Sequence, residues 1–227
     1  MKLKNKKLIL FDLDGTLIDS VPDLANAVNH TLTTIGKEPF SEDEIREWVG
    51  NGSATLTKRA LSGSADIDPN LDEEYFKKAH KILLEFYGNN VCIETKLYDG
   101  VKETLTDLKN KGFKLTIITN KPFAFIDPIL KNLQLDELFE KSIGADSLEK
   151  KKPDPLPLTY MCEEMNCHIE HAVMIGDSKN DILAAKAAGI DSIGVTYGYN
   201  YGDNISIYEP DLIVEHFSHI SDILGEA

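Results

Sequence analysis

Two carboxylates two residues apart, Asp12 and Asp14, directly follow an apolar run in the stretch LILFDLDGT. Residues two apart on an extended chain point the same way, so both can face one bound group while Leu13 packs elsewhere. Asp177 and Ser178 close another run, AVMIG, with Asp181 close behind. A third run, KLTIIT, ends in Thr119, Asn120 and Lys121, and KKPDP, after the run KSIGA, contributes Lys152. In an open parallel sheet, ligands bind beyond the carboxyl ends of the strands, where these residues would gather. The set holds four carboxylates, two ammonium groups and two hydroxyls.

Carboxylates gathered this closely repel one another and raise one another's pKa unless a cation stays among them. All-oxygen donors with few protein contacts suit Mg²⁺, and Asp12 and Asp177 are its natural side-chain ligands. Of two neighbouring carboxylates, the one held ionised on the metal can attack phosphorus. The other can protonate the leaving oxygen and later deprotonate water. The lysines and hydroxyls would hold the phosphoryl oxygens.

These residues need a frame. The runs LILF, KLTIIT, KSIGA, AVMIG, SIGVT and DLIV read as buried parallel strands. Helical patterns at 101–111 (closed by Gly112), 123–133, 156–165 and 180–188 (closed by Gly189) alternate with them. The alternation predicts an α/β fold, a doubly wound parallel sheet with a Rossmann-like core. The first crossover is far longer than one helix requires. Its apolar residues fall at helical spacing: Leu24, Val28, Leu32 and Ile35, then Ile45, Trp48 and Val49 after the capping box SEDE, then Tyr75, Phe76, Ala79, Ile82, Leu83 and Phe86. We therefore expect an inserted small helical cap domain at 19–91, a core at 1–18 and 92–227, and hinges near 20–22 and 92–98.

The motifs DLDGT, ITN, KKPDP and GDSKND, in this order and across almost the whole chain, resemble those of the haloacid dehalogenase superfamily of phosphatases. The resemblance implies that Asp12 is the nucleophile that forms an aspartyl-phosphate. Asp14 would be the general acid and base and would give its backbone carbonyl to Mg²⁺. Thr119 and Lys152 would bind the transferring group, Asp177 would complete the metal site, and Asp181 would hold the metal's waters or the lysine. Asn120 and Lys121 would lie at the substrate's edge. The dehalogenases that name the family lack a carboxylate at the position of Asp14, so Asp14 argues for phosphate chemistry.

The helical insert resembles the cap that, in this family, closes over the site and selects the substrate. WVGNGSATLTKRAL and KKPDPLPL are most similar to the family's branch that hydrolyses 2-phosphoglycolate. Gly50, Asn51 and Gly52 would supply backbone amides near the substrate, Ser53 would cap the next helix, and Arg59 could pair with a carboxylate. The competing readings are a β-phosphoglucomutase-type phosphosugar mutase, a pyrophosphate phosphatase, and a receiver-like phosphoacceptor module. A receiver carries its acidic pair and its phosphoacceptor on different strands and has no large helical insert.

The resemblance implies a small phosphorylated metabolite as partner, and composition disfavours the larger alternatives. With 24 basic and 38 acidic residues the 227-residue chain has a net charge of −14, which disfavours nucleic acid. No stretch approaches membrane-spanning length, and Cys92, Cys162 and Cys167 suit free thiols in a cytoplasmic protein, monomer or homodimer. Cys162, Cys167, His168 and His171 fit no common zinc spacing and read as structural, and YGYNYGDN could flank the site but reads as a plain loop.

Overall fold

The computed structural model describes residues 3–227. The strand β1 (Leu8–Phe11) is apolar throughout because both of its faces are covered, as a central parallel strand requires. Leu8 and Leu10 point into one core with Leu158, Met161 and Met174, whereas Ile9 and Phe11 point into the other with Leu105, Ile117 and Ile175.

The chain continues through β2 (Ile18–Asp19), α1 (Val21–Thr34), α2 (Glu42–Arg46), α3 (Ser53–Ser62), α4 (Glu73–Asn89) and β3 (Lys96–Leu97). It then alternates through α5 (Val101–Asn110), β4 (Lys114–Ile118), α6 (Ile126–Asn132), β5 (Lys141–Ile143), α7 (Leu156–Glu164), β6 (Ala172–Gly176), α8 (Lys179–Ala188) and β7 (Asp191–Val195). The described chain closes with β8 (Leu212–Val214) and α9 (His219–Leu224). The main sheet has the order β5-β4-β1-β6-β7-β8, and every pairing in it is parallel. Phe11 lies beside both Ile117 and Ile175, so the segments after β1, β4 and β6 leave the sheet at one level. The winding direction reverses between β5 and β6, which opens a crevice next to β1.

Helices α1 to α4 bury a core of their own, which includes Val28, Leu32, Ile45, Trp48, Leu56 and Leu83. Ser41 and Glu44 form the capping box of α2, but that helix ends at Arg46, and Trp48 and Val49 are buried in the turns that follow. The stretch 123–133 opens with a 3₁₀ turn, Phe123–Phe125, before α6, consistent with the proline at 122 that precedes it.

The insert is not wholly helical at its ends. β2 and β3 form a two-stranded antiparallel ribbon, Ile18 opposite Leu97 and Asp19 opposite Lys96, at the neck between insert and sheet. Two-residue strands carry no readable period. Just beyond the ribbon, the buried Asp23 carboxylate accepts the backbone N–H groups of Ile93, Glu94 and Thr95 and the Thr95 hydroxyl. The start of α1 is thereby tied to the returning chain.

Candidate active site

The crevice beyond β1, β4 and β6 brings together Asp12, Asp14, Thr119, Asn120, Lys121, Lys152, Asp177 and Asp181. Ladder bonds set the first of these: Asp12 donates its N–H to Ile175 O at 3.0 Å, and Thr119 donates to Ile143 O at 3.1 Å. Carboxylate oxygens of Asp12, Asp177 and Asp181 lie within 4.8 Å of one another, and all three residues are buried.

Lys152 is threaded between them. Its Nζ lies 2.6 Å from Asp181 Oδ1 and 3.0 Å from Asp12 Oδ1. Burial opposes its charge, but the two carboxylates hold the ammonium protonated. Asp181 is the most engaged of the three, because its other oxygen accepts the Ser178 N–H and hydroxyl at the start of α8. Asp177 accepts the Thr16 hydroxyl at 2.7 Å and the Tyr199 N–H at 2.6 Å. Asp14 is set apart from this group: Lys121 Nζ lies 2.8 and 3.1 Å from its two oxygens, and the Ser20 hydroxyl donates to it at 2.5 Å. The two aspartates of DLDGT therefore answer to different lysines.

Four carboxylates against two ammonium groups leave two unbalanced negative charges in a buried pocket. Burial pushes Asp12 up to about 7, with Lys152 opposing and Asp181 and Asp14 adding to the rise. Burial, then Asp12 and Asp181, push Asp177 well above the usual carboxylate range. An excess of two negative charges on oxygen donors of raised proton affinity fits one divalent cation of the hard class. Asp12 and Asp177 keep unshared lone pairs for it, since each carboxylate has about four acceptor sites.

Three backbone details shape the pocket. A Cβ on Gly15, which has φ +86°, or on Gly198 would run into the Asp177 side chain, so both glycines allow the backbone to close around that carboxylate. Gly50 has φ +118°, and a Cβ there would collide with the Tyr201 hydroxyl. The Gly50 carbonyl accepts Asn120 Nδ2 at 3.3 Å and Asn180 Nδ2 at 3.2 Å, which seats the insert on the sheet. Gly50→Ala should lift this seam and lower kcat/KM about 100-fold, the scale of an ångström's misplacement, while circular dichroism stays native. Near-normal kcat/KM in a folded variant would show that the seam does not matter.

A cavity lies between the insert and the sheet. Asp12, Asp14, Thr119, Asn120 and Lys121 line its floor, and Leu24, Val49, Leu56, Leu83 and Tyr87 line the insert side, with Gly50, Gly52 and Ser53 at the turn. Asn51 does not line it; its carbonyl accepts the Lys151 ammonium at 2.7 Å. The turn thus presents carbonyls of Gly50 and Asn51 to the sheet where amides were expected. Ser53 is not the cap of α3, a place taken by Gly52; its hydroxyl meets His80 Nε2 at 3.0 Å.

Arg59 corrects an expectation too. Its guanidinium donates to the Trp48 and Ala65 carbonyls and stacks over Tyr201, outside the cavity lining, so it braces the insert. The other arginine, Arg46, forms a two-pronged pair with Asp19 at 3.0 and 3.2 Å. The segment YGYNYGDN, expected to be a plain loop, wraps the site instead. Tyr199 binds Asp177 through its N–H and Asp19 through its hydroxyl, and Tyr197 donates to the Thr16 carbonyl. Its density of tyrosine beside glycine was the one signal in the sequence. His171 contacts the Asn5 carbonyl and Cys162 is buried in the core, and among the described residues the one cluster suited to a metal is Asp12, Asp177 and Asp181.

This architecture of parallel sheet, helical insert and strand-end carboxylates is that of the haloacid dehalogenase-like hydrolases. The model of that family matches residues 9–195, and the chain belongs to it. Its likeness within the family is to phosphatases, and it is an enzyme of that class. It is 56% identical over 220 residues to a phosphoglycolate phosphatase of Colwellia psychrerythraea (strain 34H / ATCC BAA-681), covering 97% of each chain. It is 46% identical to one of Psychrobacter arcticus (strain DSM 17307 / VKM B-2377 / 273-4), covering 98% of this chain and 97% of that one. The crystal structure of a predicted phosphoglycolate phosphatase from Haemophilus somnus 129pt superposes with a TM-score of 0.90 at 40% identity, covering 96% of this chain and 98% of that one. No helix among the described residues is long and apolar enough to cross a membrane.

Proposed function

We propose that the enzyme hydrolyses 2-phosphoglycolate to glycolate and phosphate in the presence of Mg²⁺, through an aspartyl-phosphate on Asp12. One observation carries the reading. The cavity that joins the carboxylates has a floor charged for phosphoryl transfer and an insert side that is almost entirely apolar, small and poor in hydrogen-bond groups. A sugar phosphate would leave several hydroxyls unpaired against Leu24, Val49, Leu56 and Leu83, at about 1–3 kcal/mol each. A two-carbon leaving group meets no such cost, and relatives that share almost the full chain carry the matching name.

An Asp12 oxygen attacks phosphorus, the bond to the leaving oxygen breaks, and Asp14 gives that oxygen a proton. Water then attacks the same phosphorus, Asp14 takes its proton back, and phosphate leaves with Asp12 restored. Lys152 and Thr119 hold the phosphoryl oxygens through both steps. Mg²⁺, when held by Asp12 and Asp177, neutralises the charge that the phosphate brings to this pocket. We place the substrate-selecting cap at 19–91 and the catalytic core on either side of it. The chemistry suits a cytoplasmic enzyme acting on small phosphorylated metabolites.

Phosphate release from 2-phosphoglycolate and from a phosphosugar panel, with and without Mg²⁺, tests the reading. Isomerisation of a sugar phosphate without release of phosphate would replace it with a mutase.

Metal binding should also show in stability. With Asp12 and Asp177 raised, the metal-free folded protein holds protons that the unfolded chain has already lost. Its stability therefore falls as pH rises from the unfolded carboxylate value, near 4, to about 7. Protons and Mg²⁺ compete for the same oxygens, so the rise in Tm on adding Mg²⁺ should be small near about pH 5 and larger near about pH 7.5. Equal shifts at both pH values, or a full shift in Asp177→Asn, would count against the assigned ligands.

A further inference from the structure

The insert offers the cavity few polar groups, and one of them is unused. Tyr87, on α4, lines the cavity and is 2% exposed, and its hydroxyl makes no well-formed hydrogen bond among the described residues, only an approach to the Lys121 ammonium. The hydroxyl of Ser53, by contrast, is taken by His80. Buried polar groups in folded proteins are satisfied with few exceptions, and an exception in a cavity wall points to a missing ligand atom. Burial pushes the Tyr87 phenol up to about 12, so at neutral pH it keeps its proton and can donate it.

Beside it is the one basic side chain of the cavity lining. The Lys121 ammonium lies 4.8 Å from the centre of the Tyr87 ring and spends two of its three donors on the Asp14 oxygens. Lys151 is engaged with the Asn51 carbonyl, and Arg59 lies outside the lining. The surrounding wall of Leu24, Leu83, Leu84 and Phe125 excludes water and strengthens any charge contact made there.

We propose that the Tyr87 hydroxyl and the Lys121 ammonium together form a subsite for a carboxylate on the leaving group. The enzyme thereby selects phosphomonoesters of short hydroxy acids. One carboxylate oxygen accepts the phenol proton and the other the remaining ammonium proton, a charge-assisted pair in an apolar setting. The inference rests on the reading that the substrate is a phosphorylated hydroxy acid, and it names the groups that recognise the acid end. Tyr87 comes from the insert and Lys121 from the segment after β4, so the subsite is complete only when the two parts are seated together.

The test compares kcat/KM for 2-phosphoglycolate and for ethyl phosphate, which carries a methyl group where the acid has its carboxylate. It uses the wild type, Tyr87→Phe and Lys121→Met at saturating Mg²⁺. The wild type should favour the acid by about 100-fold or more, as expected of a site built around a polar group that the analogue lacks. Tyr87→Phe should reduce that ratio about tenfold, chiefly through KM for the acid, and Lys121→Met should reduce it further. Glycolate should also inhibit Tyr87→Phe more weakly than the wild type.

A high wild-type ratio that stays within about twofold in Tyr87→Phe would overturn the subsite and leave the substrate reading standing. A wild-type ratio near one would remove the substrate reading and the subsite with it. Equal losses on both substrates in Lys121→Met would mean that Lys121 acts through Asp14 alone, which also overturns the proposal. If that variant does not fold, the near-isosteric Tyr87→Phe decides the matter by itself.

Discussion

Asp12→Asn is expected to lose turnover by at least about 10⁴-fold, the scale on which removing an attacking group acts. The loss should come without unfolding. Asp12 is held in a pocket whose burial and neighbouring carboxylates work against its charge. A neutral amide of the same shape relieves that repulsion, and Lys152 keeps its contact with Asp181. The metal-free variant should therefore melt no lower than the wild type near neutral pH. Retention of Mg²⁺-dependent hydrolysis within about tenfold of wild type would remove Asp12 from the role of nucleophile.

Asp14→Asn is expected to cost about 10²–10⁴-fold on 2-phosphoglycolate, the usual contribution of a positioned proton donor and acceptor. The more telling result lies with p-nitrophenyl phosphate, whose leaving oxygen departs as a stable anion and needs no proton. Attack by Asp12 should then proceed at a useful rate, while water, deprived of its base, attacks slowly. The variant should release one equivalent of p-nitrophenol per site in a burst and then stall, with a covalent phosphoryl group detectable by mass spectrometry. A single slow phase without a burst would mean that Asp14 only positions Lys121 and Ser20, and near-normal steady turnover would mean that it acts in the first step alone.

Much of the frame was legible in the sequence for a simple physical reason. A strand buried on both faces must be apolar throughout, so LILF and AVMIG announced themselves, and the polar residues that interrupt them sit where the sheet ends. Gly189 ended α8 in the left-handed conformation, and SEDE opened α2 with its capping box, because both signals act within one helical turn.

What could not be read depends on contacts between distant segments. The expectation for Arg59 failed because its partners, the carbonyls of Trp48 and Ala65, are backbone groups that no side-chain pattern reveals. The Tyr199 loop lies 22 residues along the chain from the Asp177 carboxylate it binds and 180 from the Asp19 it also binds. Neither separation leaves a local trace. Tyr87 was hidden more simply: it falls at helical spacing after Leu83, where an aromatic residue reads as core, and only its unpaired hydroxyl sets it apart.

The ribbon of β2 and β3, stapled by Asp23, makes the chain leave the sheet and return to it at a single point. Topologically, everything between the two short strands is an elaborate loop. Its ends stay where they are whatever hangs from them, so closing it places no demand on the sheet. Different helical inserts could therefore be exchanged across this neck over evolutionary time, or in the laboratory, without rebuilding the crevice that holds the aspartates. The insert and the strand ends that carry the aspartates are separable lengths of chain.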